Sequence, residues 1–504
     1  MARVIVEHFS SLGRYGQRIL HEALEVVDQS ADRGLRCWAA VKAIEALIDQ
    51  AQYAQAKVAL EALRSDDLEL DASTQIELAL SAAAIERWIG HAERAKQFVD
   101  RAELHARLLP DTHALHGKVQ LWRGLIHKDL GDWSEALHAL EFVTGTATMP
   151  LALRARAQYQ IGDALMRLGQ LPAAQIRLEA AASAFGQSAA PLEEQTRALA
   201  RHGTVSRRLG LLSASAGSFE RALALNPDPF TRARTQSEAI LLHAANGQFD
   251  AALEIGVLAA EIFSEATITR SAEATYRMAR VQYRLAVTYL SRGLGRAYQQ
   301  PWRGAERDHP DLEHARGLLK VTLGRLTAKA TEREAALELD LRIALSLACP
   351  DAAQAVEYAQ EALRNAKYPY AACQAQLVLA EALLRAGKPT QALSEINRAH
   401  ATARRAARIS GHDSLNDPGL RAFFICLEAH ALLPTDHELS HELIRASLKD
   451  ADLLAFRSGV AADFVDVLQQ RNLELPDWCL ASSLESPESL GLLRPTDRAR
   501  LRHR

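Results

Sequence analysis

Aromatic residues are scarce in this 504-residue chain, at 6% of positions, and there are only five cysteines. The cysteines (Cys37, Cys349, Cys373, Cys426 and Cys479) are odd in number, far apart and never spaced C-x-x-C. That excludes a disulfide framework or a zinc knuckle and leads us to expect a reducing, cytoplasmic setting. No run reaches about 18 uncharged apolar residues, and Met1 to His8 lacks an apolar signal core, so neither a membrane span nor an export signal is expected. Charge of one sign is missing too: the formal net charge is −3 and the pI is near 6.7, which gives no global pull toward nucleic acid or an anionic membrane. The sequence also lacks a Walker A loop, since Ala382 stands where the first glycine before Gly387-Lys388 should be. It has no G-x-S-x-G elbow and no Rossmann fingerprint, so no cofactor is expected.

What the chain does have is alanine-rich amphipathic sequence and a recurring turn. Gly131-Asp132-Trp133-Ser134-Glu135-Ala136 returns as Gly169-Gln170-Leu171-Pro172-Ala173-Ala174, as Gly247-Gln248-Phe249-Asp250-Ala251-Ala252 and as Gly387-Lys388-Pro389-Thr390-Gln391-Ala392. In each copy the glycine ends a helix at a position needing positive φ, a polar residue or proline starts the next, and the small alanine lets the two helices approach. Gly90, Gly131, Gly169, Gly210 and Gly247 follow one another at roughly 40-residue steps, the beat of stacked helix pairs.

These residues resemble the tetratricopeptide repeat. The fullest copy is Gly203, Gly210, Leu212, Ser215, Phe219, Ala222, Leu223 and Pro227; in it mid-helix Gly203 permits close packing, Phe219 fills the gap between helices and Pro227 closes the hairpin. The common repeat is about 34 residues. The longer period resembles the tetratricopeptide-like sensor domains of large bacterial regulators. The resemblance implies an all-α fold, a right-handed α-solenoid superhelix of about 8–10 antiparallel hairpins with an extended concave binding wall.

The expected organisation is N-terminal capping helices over 1–38, a repeat array over 39–410, C-terminal capping helices over 411–471 and an extended tail over 472–504. The beat breaks at 294–312, where an insertion with two prolines, two glycines and two aromatics, Tyr298 and Trp302, reads as a loop able to contact a partner.

One enzyme-like motif occurs. His437-Glu438-Leu439-Ser440-His441 has the H-E-x-x-H spacing that sets two histidines on one helix face for Zn²⁺. It sits directly behind a helix start at Pro434-Thr435-Asp436, Glu442 charges its far side, and the third-ligand candidates Asp450, Asp452, Asp463 and Asp466 complete no recognisable motif. The motif is therefore read as structural, and no metal site is assigned.

The more informative polar feature is arginine on the first helix of successive hairpins, the helix that lines the concave wall in the resembled family. The candidate partner-binding residues are Arg156, Arg167, Arg197, Arg201, Arg207, Arg208 and Arg234, with Tyr298 and Trp302 of the insertion. Guanidinium forks suit carboxylate or phosphate. Arg201 and Arg208 are seven apart and share a face with Arg207 beside them, so the three are expected to act on a ligand without carrying the fold. The expected function is a non-enzymatic scaffold that binds another protein or a peptide, acidic or phosphorylated. Two alternatives stand behind it: a ligand-sensing regulatory arm acting with a separate effector protein, and a zinc-dependent hydrolase through His437 and His441.

Overall fold

The computed structural model describes residues 33–450 apart from 50–52, 66–70, 189, 267–270, 295–308, 327–331, 413 and 415, and beyond them Leu453, Phe456, Val460, Phe464, Val467 and Leu468. Among the described residues there are twenty α-helices and no strand. They follow one another in ten pairs: α1 (Arg33–Asp49) and α2 (Tyr53–Ser65), α3 (Ala72–Ile89) and α4 (Ala92–Ala106), α5 (Ala114–Leu130) and α6 (Trp133–Gly145), α7 (Leu151–Arg167) and α8 (Leu171–Gly186), α9 (Leu192–Arg208) and α10 (Leu212–Ala224), α11 (Pro229–Ala245) and α12 (Phe249–Ala266), α13 (Ser271–Leu294) and α14 (Pro310–Leu326), α15 (Glu332–Ala348) and α16 (Ala352–Arg364), α17 (Pro369–Arg385) and α18 (Pro389–Ile409), α19 (Pro418–Leu432) and α20 (His437–Lys449).

The turn chemistry is that expected from the sequence. Gly131 has φ 84°, its N–H donates to Lys128 O at 3.3 Å, and Asp132 N–H donates to His127 O at 2.8 Å, a Schellman closure that satisfies the last carbonyls of α5. Gly90, Gly169, Gly210, Gly247 and Gly387 have positive φ as well. Starts are equally legible: Asp228, ahead of Pro229, accepts from Phe230 N and Thr231 N, and Asp351 accepts from Gln354 N, each satisfying an orphan donor of a first turn.

The chain forms two compact units. The first comprises 1–164, 177–198 and 266–274. Its cores run between paired helices: Ile76, Leu80 and Ala83 of α3 meet Val99 and Ala102 of α4 and Val119 and Ile126 of α5. Gly124 shows why small residues recur there. A Cβ on it would lie 2.6 Å from Leu140 Cγ and 3.1 Å from the Ala136 carbonyl oxygen, so α5 and α6 touch backbone to side chain. First-helix charges in this unit are matched, with Lys42 and Lys118 bonded to Glu45 at 2.8 Å each and Lys128 to Asp163 at 2.9 Å.

The second unit comprises 165–176, 199–265 and 275–504. One core joins Ala233, Ile240 and Ala244 of α11 with Ala252, Ala259 and Phe263 of α12 and Val281 of α13. A larger one extends from α13 through α19, and a third packs α19 and α20 with Leu453, Phe456, Val460, Phe464, Val467 and Leu468. The insertion is shorter than expected at its end, because Pro310 already opens α14; proline with its fixed φ is suited to a first helical turn. Tyr298 and Trp302 lie outside the described residues, as do 1–32 and 472–504. No described helix is long and apolar enough to cross a membrane.

Contacts at the Gly169 turn depart from nearest-neighbour stacking. Within the second unit the Gly169 turn pairs with Asn416 in an isolated parallel bridge. Asn416 N donates to Gly169 O at 3.0 Å and Leu171 N donates to Asn416 O at 3.2 Å, while the buried Gln170 amide donates to Ser414 O at 3.0 Å. Residues some 246 apart in sequence are thus held together.

Candidate functional site

The polar centre of the second unit is Glu238, midway along α11 and only 6% exposed. A buried carboxylate survives in its charged form only beside cations. Burial works against ionisation here, but Arg201, Arg284, Arg234 and Arg277 overcome it and hold Glu238 at a pKa of about 2. These arginines arrive from three consecutive first helices, Arg201 from α9, Arg234 from α11, and Arg277 and Arg284 from α13. Arg234 Nε stands 3.9 Å from Glu238 one helical turn away, and the Thr204 hydroxyl donates to Glu238 at 3.4 Å.

Helix α13 supplies most of the charge. Arg277, Arg280 and Arg284 are spaced i, i+3, i+7 and share one face, as do Tyr276 and Tyr283 beside them. Arg277 lies 5.5 Å from the Tyr276 ring centre and Arg280 5.7 Å from that of Tyr283, cation–π contacts that seat flat guanidinium groups. Arg280 donates to Asp340 of α15 at 3.1 Å, and Arg167 and Arg208 act on the same carboxylate. Arg284, only 6% exposed, donates to the Ser237 hydroxyl. Burial and the neighbouring Arg280 and Arg277 outweigh the attraction of Glu238 and lower its pKa to about 9. The first cause is burial, which takes the charged guanidinium out of water and weakens its hold on the proton.

The arginines expected to form one binding wall take different places. Arg201 and Arg234 belong to the Glu238 cluster and Arg167 to the surroundings of Asp340. Arg156 is bonded to Glu194 at 2.9 Å in the first unit, and Arg197, also there, donates to Glu193 O at 3.2 Å; both are surface ion-pair residues. Arg207 is buried. Arg208 corrects the expectation most sharply, for it is a structural ion: it donates to Asp417 at 2.6 Å, to Tyr370 and to Met166 O at 3.3 Å, and Tyr370 donates to Asp417 at 2.5 Å. Those partners raise its already high pKa, and burial pushes the Tyr370 phenol well above its ordinary value. Arg201, Arg207 and Arg208 therefore do not act as one exposed set. Reading from the sequence missed Arg277, Arg280 and Arg284, although their common face and the interleaved tyrosines were visible.

His437 and His441 stand on α20 with ring centres 6.2 Å apart. His441 packs its ring edge-on to Phe464, and burial, then His437, lower its pKa. Asp450 is bonded to Arg421 at 2.5 Å, while Asp452, Asp463 and Asp466 lie outside the described residues. Among the described residues no three His, Cys, Asp or Glu side chains are grouped to hold a metal ion.

No protein-family model matches the chain, and no curated protein matches it. Similar solved structures include a Rap protein complexed with competence and sporulation factor, at 13% identity and TM-score 0.49, covering 86% of this chain and 99% of that one. NprR in complex with its cognate peptide NprX is similar at 13% identity and TM-score 0.39, covering 68% and 98%. Aspartyl phosphate phosphatase F from Bacillus subtilis is similar at 11% identity and TM-score 0.45, covering 72% and 93%. The likeness is one of helical-repeat architecture, and it assigns this chain neither ligand nor partner.

Proposed function

We propose that this long-period, tetratricopeptide-like repeat protein works by binding: the arginine-rich first-helix surface of its second unit receives an acidic segment of a peptide or of another protein. The observation that carries this reading is the convergence of arginines from α9, α11 and α13 on the single carboxylate of Glu238. Guanidinium groups hold charge and shape; they neither shuttle protons near neutral pH nor attack bonds, so such a cluster suits recognition and not turnover. Arg201, Arg277 and Arg280 are half-buried, leaving them within reach of a ligand while partly desolvated, the condition in which a charge-assisted hydrogen bond is strongest. This binding role is exercised in a reducing cytoplasm, consistent with the buried free thiols of Cys349, Cys373 and Cys426.

The test is fluorescence anisotropy with labelled oligo-glutamate and oligo-lysine peptides, using the full chain and a variant carrying R201A, R234A and R277A. The acidic peptide should bind the wild type and lose about tenfold or more in affinity in the variant, with the helical circular-dichroism spectrum retained. Equal binding of the basic peptide, or undiminished binding of the acidic one by the folded variant, would sink the reading.

A further inference from the structure

Two second helices of the second unit each expose charge of a single sign. Helix α12 holds Asp250, Glu254, Glu261 and Glu265 and no cation. Its Ala252, Gly256, Ala259 and Phe263 are buried. Glu254, Glu261 and Glu265, spaced i, i+7, i+11, share the opposite side with the exposed side chains of Val257 and Leu258. Helix α18 is the reverse: Ala392, Ile396, Ala399, Ala403 and Ala406 are buried, while Arg404, Arg405 and Arg408 are exposed. Asp250 is bonded to Arg292 at 3.1 Å and Arg398 of α18 to Glu395 at 2.6 Å. Among the described residues, the side chains of Glu254, Glu261, Glu265, Arg404, Arg405 and Arg408 pair with no opposite charge. The exposed faces of α10, α16 and α20 instead mix signs, Glu220 with Arg221, Glu357 with Arg364 and Glu442 with Arg445.

We propose that these two faces form one interface: the acidic stripe of α12 in one copy of this chain receives the basic stripe of α18 in a second copy. The rows match in spacing, since Glu261 and Glu265 are one helical turn apart, as are Arg404 and Arg408, which sets like charges about 6 Å from each other on both helices. Like charges at that step repel and weaken the helix that carries them. The helix dipole accounts for a cation in the last turn of α18, which is Arg408, but not for Arg404 and Arg405 before it, and it opposes Glu265 at the C-terminal end of α12. Each stripe therefore costs the lone chain stability that the opposite stripe recovers. The rows complement each other and not themselves, so the contact is heterologous, made once in an open pair or twice about a two-fold axis. Val257 and Leu258 add apolar area, over which arginine stems can lie. Exposed ion pairs are individually weak, so the assembly is concentration-dependent and salt-sensitive. It uses none of the arginines around Glu238 and stands apart from the peptide-binding function.

The test is sedimentation velocity of the full chain over a range of protein concentrations at low and high salt. Wild type should self-associate at low salt, with an affinity at least about tenfold weaker at high salt. Two charge-reversed proteins, one carrying E254K, E261K and E265K and the other R404E, R405E and R408E, should each lose self-association by at least about tenfold, whereas R364E on α16 should leave it unchanged. An equimolar mixture of the two reversed proteins should associate again, because each then offers the row that the other lacks. The substituted side chains lie opposite the buried faces of their helices, so the helical circular-dichroism spectrum should be retained. Should a triple variant not fold, E261K or R405E takes its place and should weaken association severalfold. A wild type that stays monomeric at every concentration in low salt, a folded reversed protein that associates as wild type does, or a mixture that stays dissociated overturns the inference. A chain that stays monomeric yet binds a single-stranded oligonucleotide through Arg404, Arg405 and Arg408 overturns it in favour of a polyanion on α18.

Discussion

At the scale of the residue, Glu238 ties the candidate site to the stability of the fold. Its folded pKa of about 2 lies below the ordinary glutamate value, so the folded state binds fewer protons than the unfolded one between those values. The stability this contributes is present above the unfolded pKa, near 4.5, and is lost as pH falls toward about 2. We expect E238Q to flatten the acid limb of stability against pH over that window; urea midpoints measured from pH 7 down to 2 check it, and parallel acid limbs in the two proteins would show that Glu238 is not held by its arginines. Gly124 offers a second residue-scale prediction. Alanine is the better helix former by about 1 kcal/mol, yet its Cβ would meet the Ala136 carbonyl at 3.1 Å, and backbone cannot rotate away as a side chain can. G124A should destabilise by roughly 1–3 kcal/mol through overpacking, read as a lowered urea midpoint with unchanged slope.

At the scale of the element, Asp417 gathers three tasks in one carboxylate. It caps α19 by accepting from Leu420 N at 3.1 Å, pairs with Arg208 of α9 at 2.6 Å and accepts from Tyr370 of α17. Removing one partner of a buried pair strands the other charge, at a cost of about 3–5 kcal/mol, and losing a cap adds about 1 kcal/mol. D417A should therefore unfold at much lower urea than wild type, with D417N between them because its amide oxygen still caps α19. Wild-type stability in D417A would mean that the pair is not formed. The turns are more modest: G131V forces a β-branched residue into a left-handed conformation and should cost about 1 kcal/mol or more.

At the scale of the whole molecule, a solenoid built only from neighbouring contacts unfolds piecewise, whereas a contact between distant repeats raises cooperativity. The pairing of Gly169–Leu171 with Ser414–Asn416 is such a contact within the second unit. Binding of an acidic ligand should also be salt-sensitive over the whole molecule: affinity for oligo-glutamate should fall steadily as ionic strength rises, because exposed parts of the contact are screened within about 10 Å at 0.1 M. A flat salt response in the anisotropy titration would place the binding energy in apolar contact instead.

The sequence by itself determined the elements. Glycines placed where φ must be positive, asparates and prolines at helix starts, and the small residues between paired helices each act over a few positions, so local sterics and hydrogen bonding suffice to write ten helix pairs. It also placed Arg201 and Arg234 on first helices, because a charged residue can be located by counting along its own helix, and both gather about Glu238. What only the tertiary structure decided is which arginines gather about Glu238 and which are spent on other buried partners. Arg208 looks like Arg201 in sequence, seven positions apart on the same helix, yet it is neutralised by Asp417, 209 residues away, and no local pattern encodes a partner at that distance. The burial of Arg284 likewise appears only once α13 is packed beside Ser237 of α11. Helix formation depends on groups near in sequence, but the free energy of a buried charge depends on every group near in space.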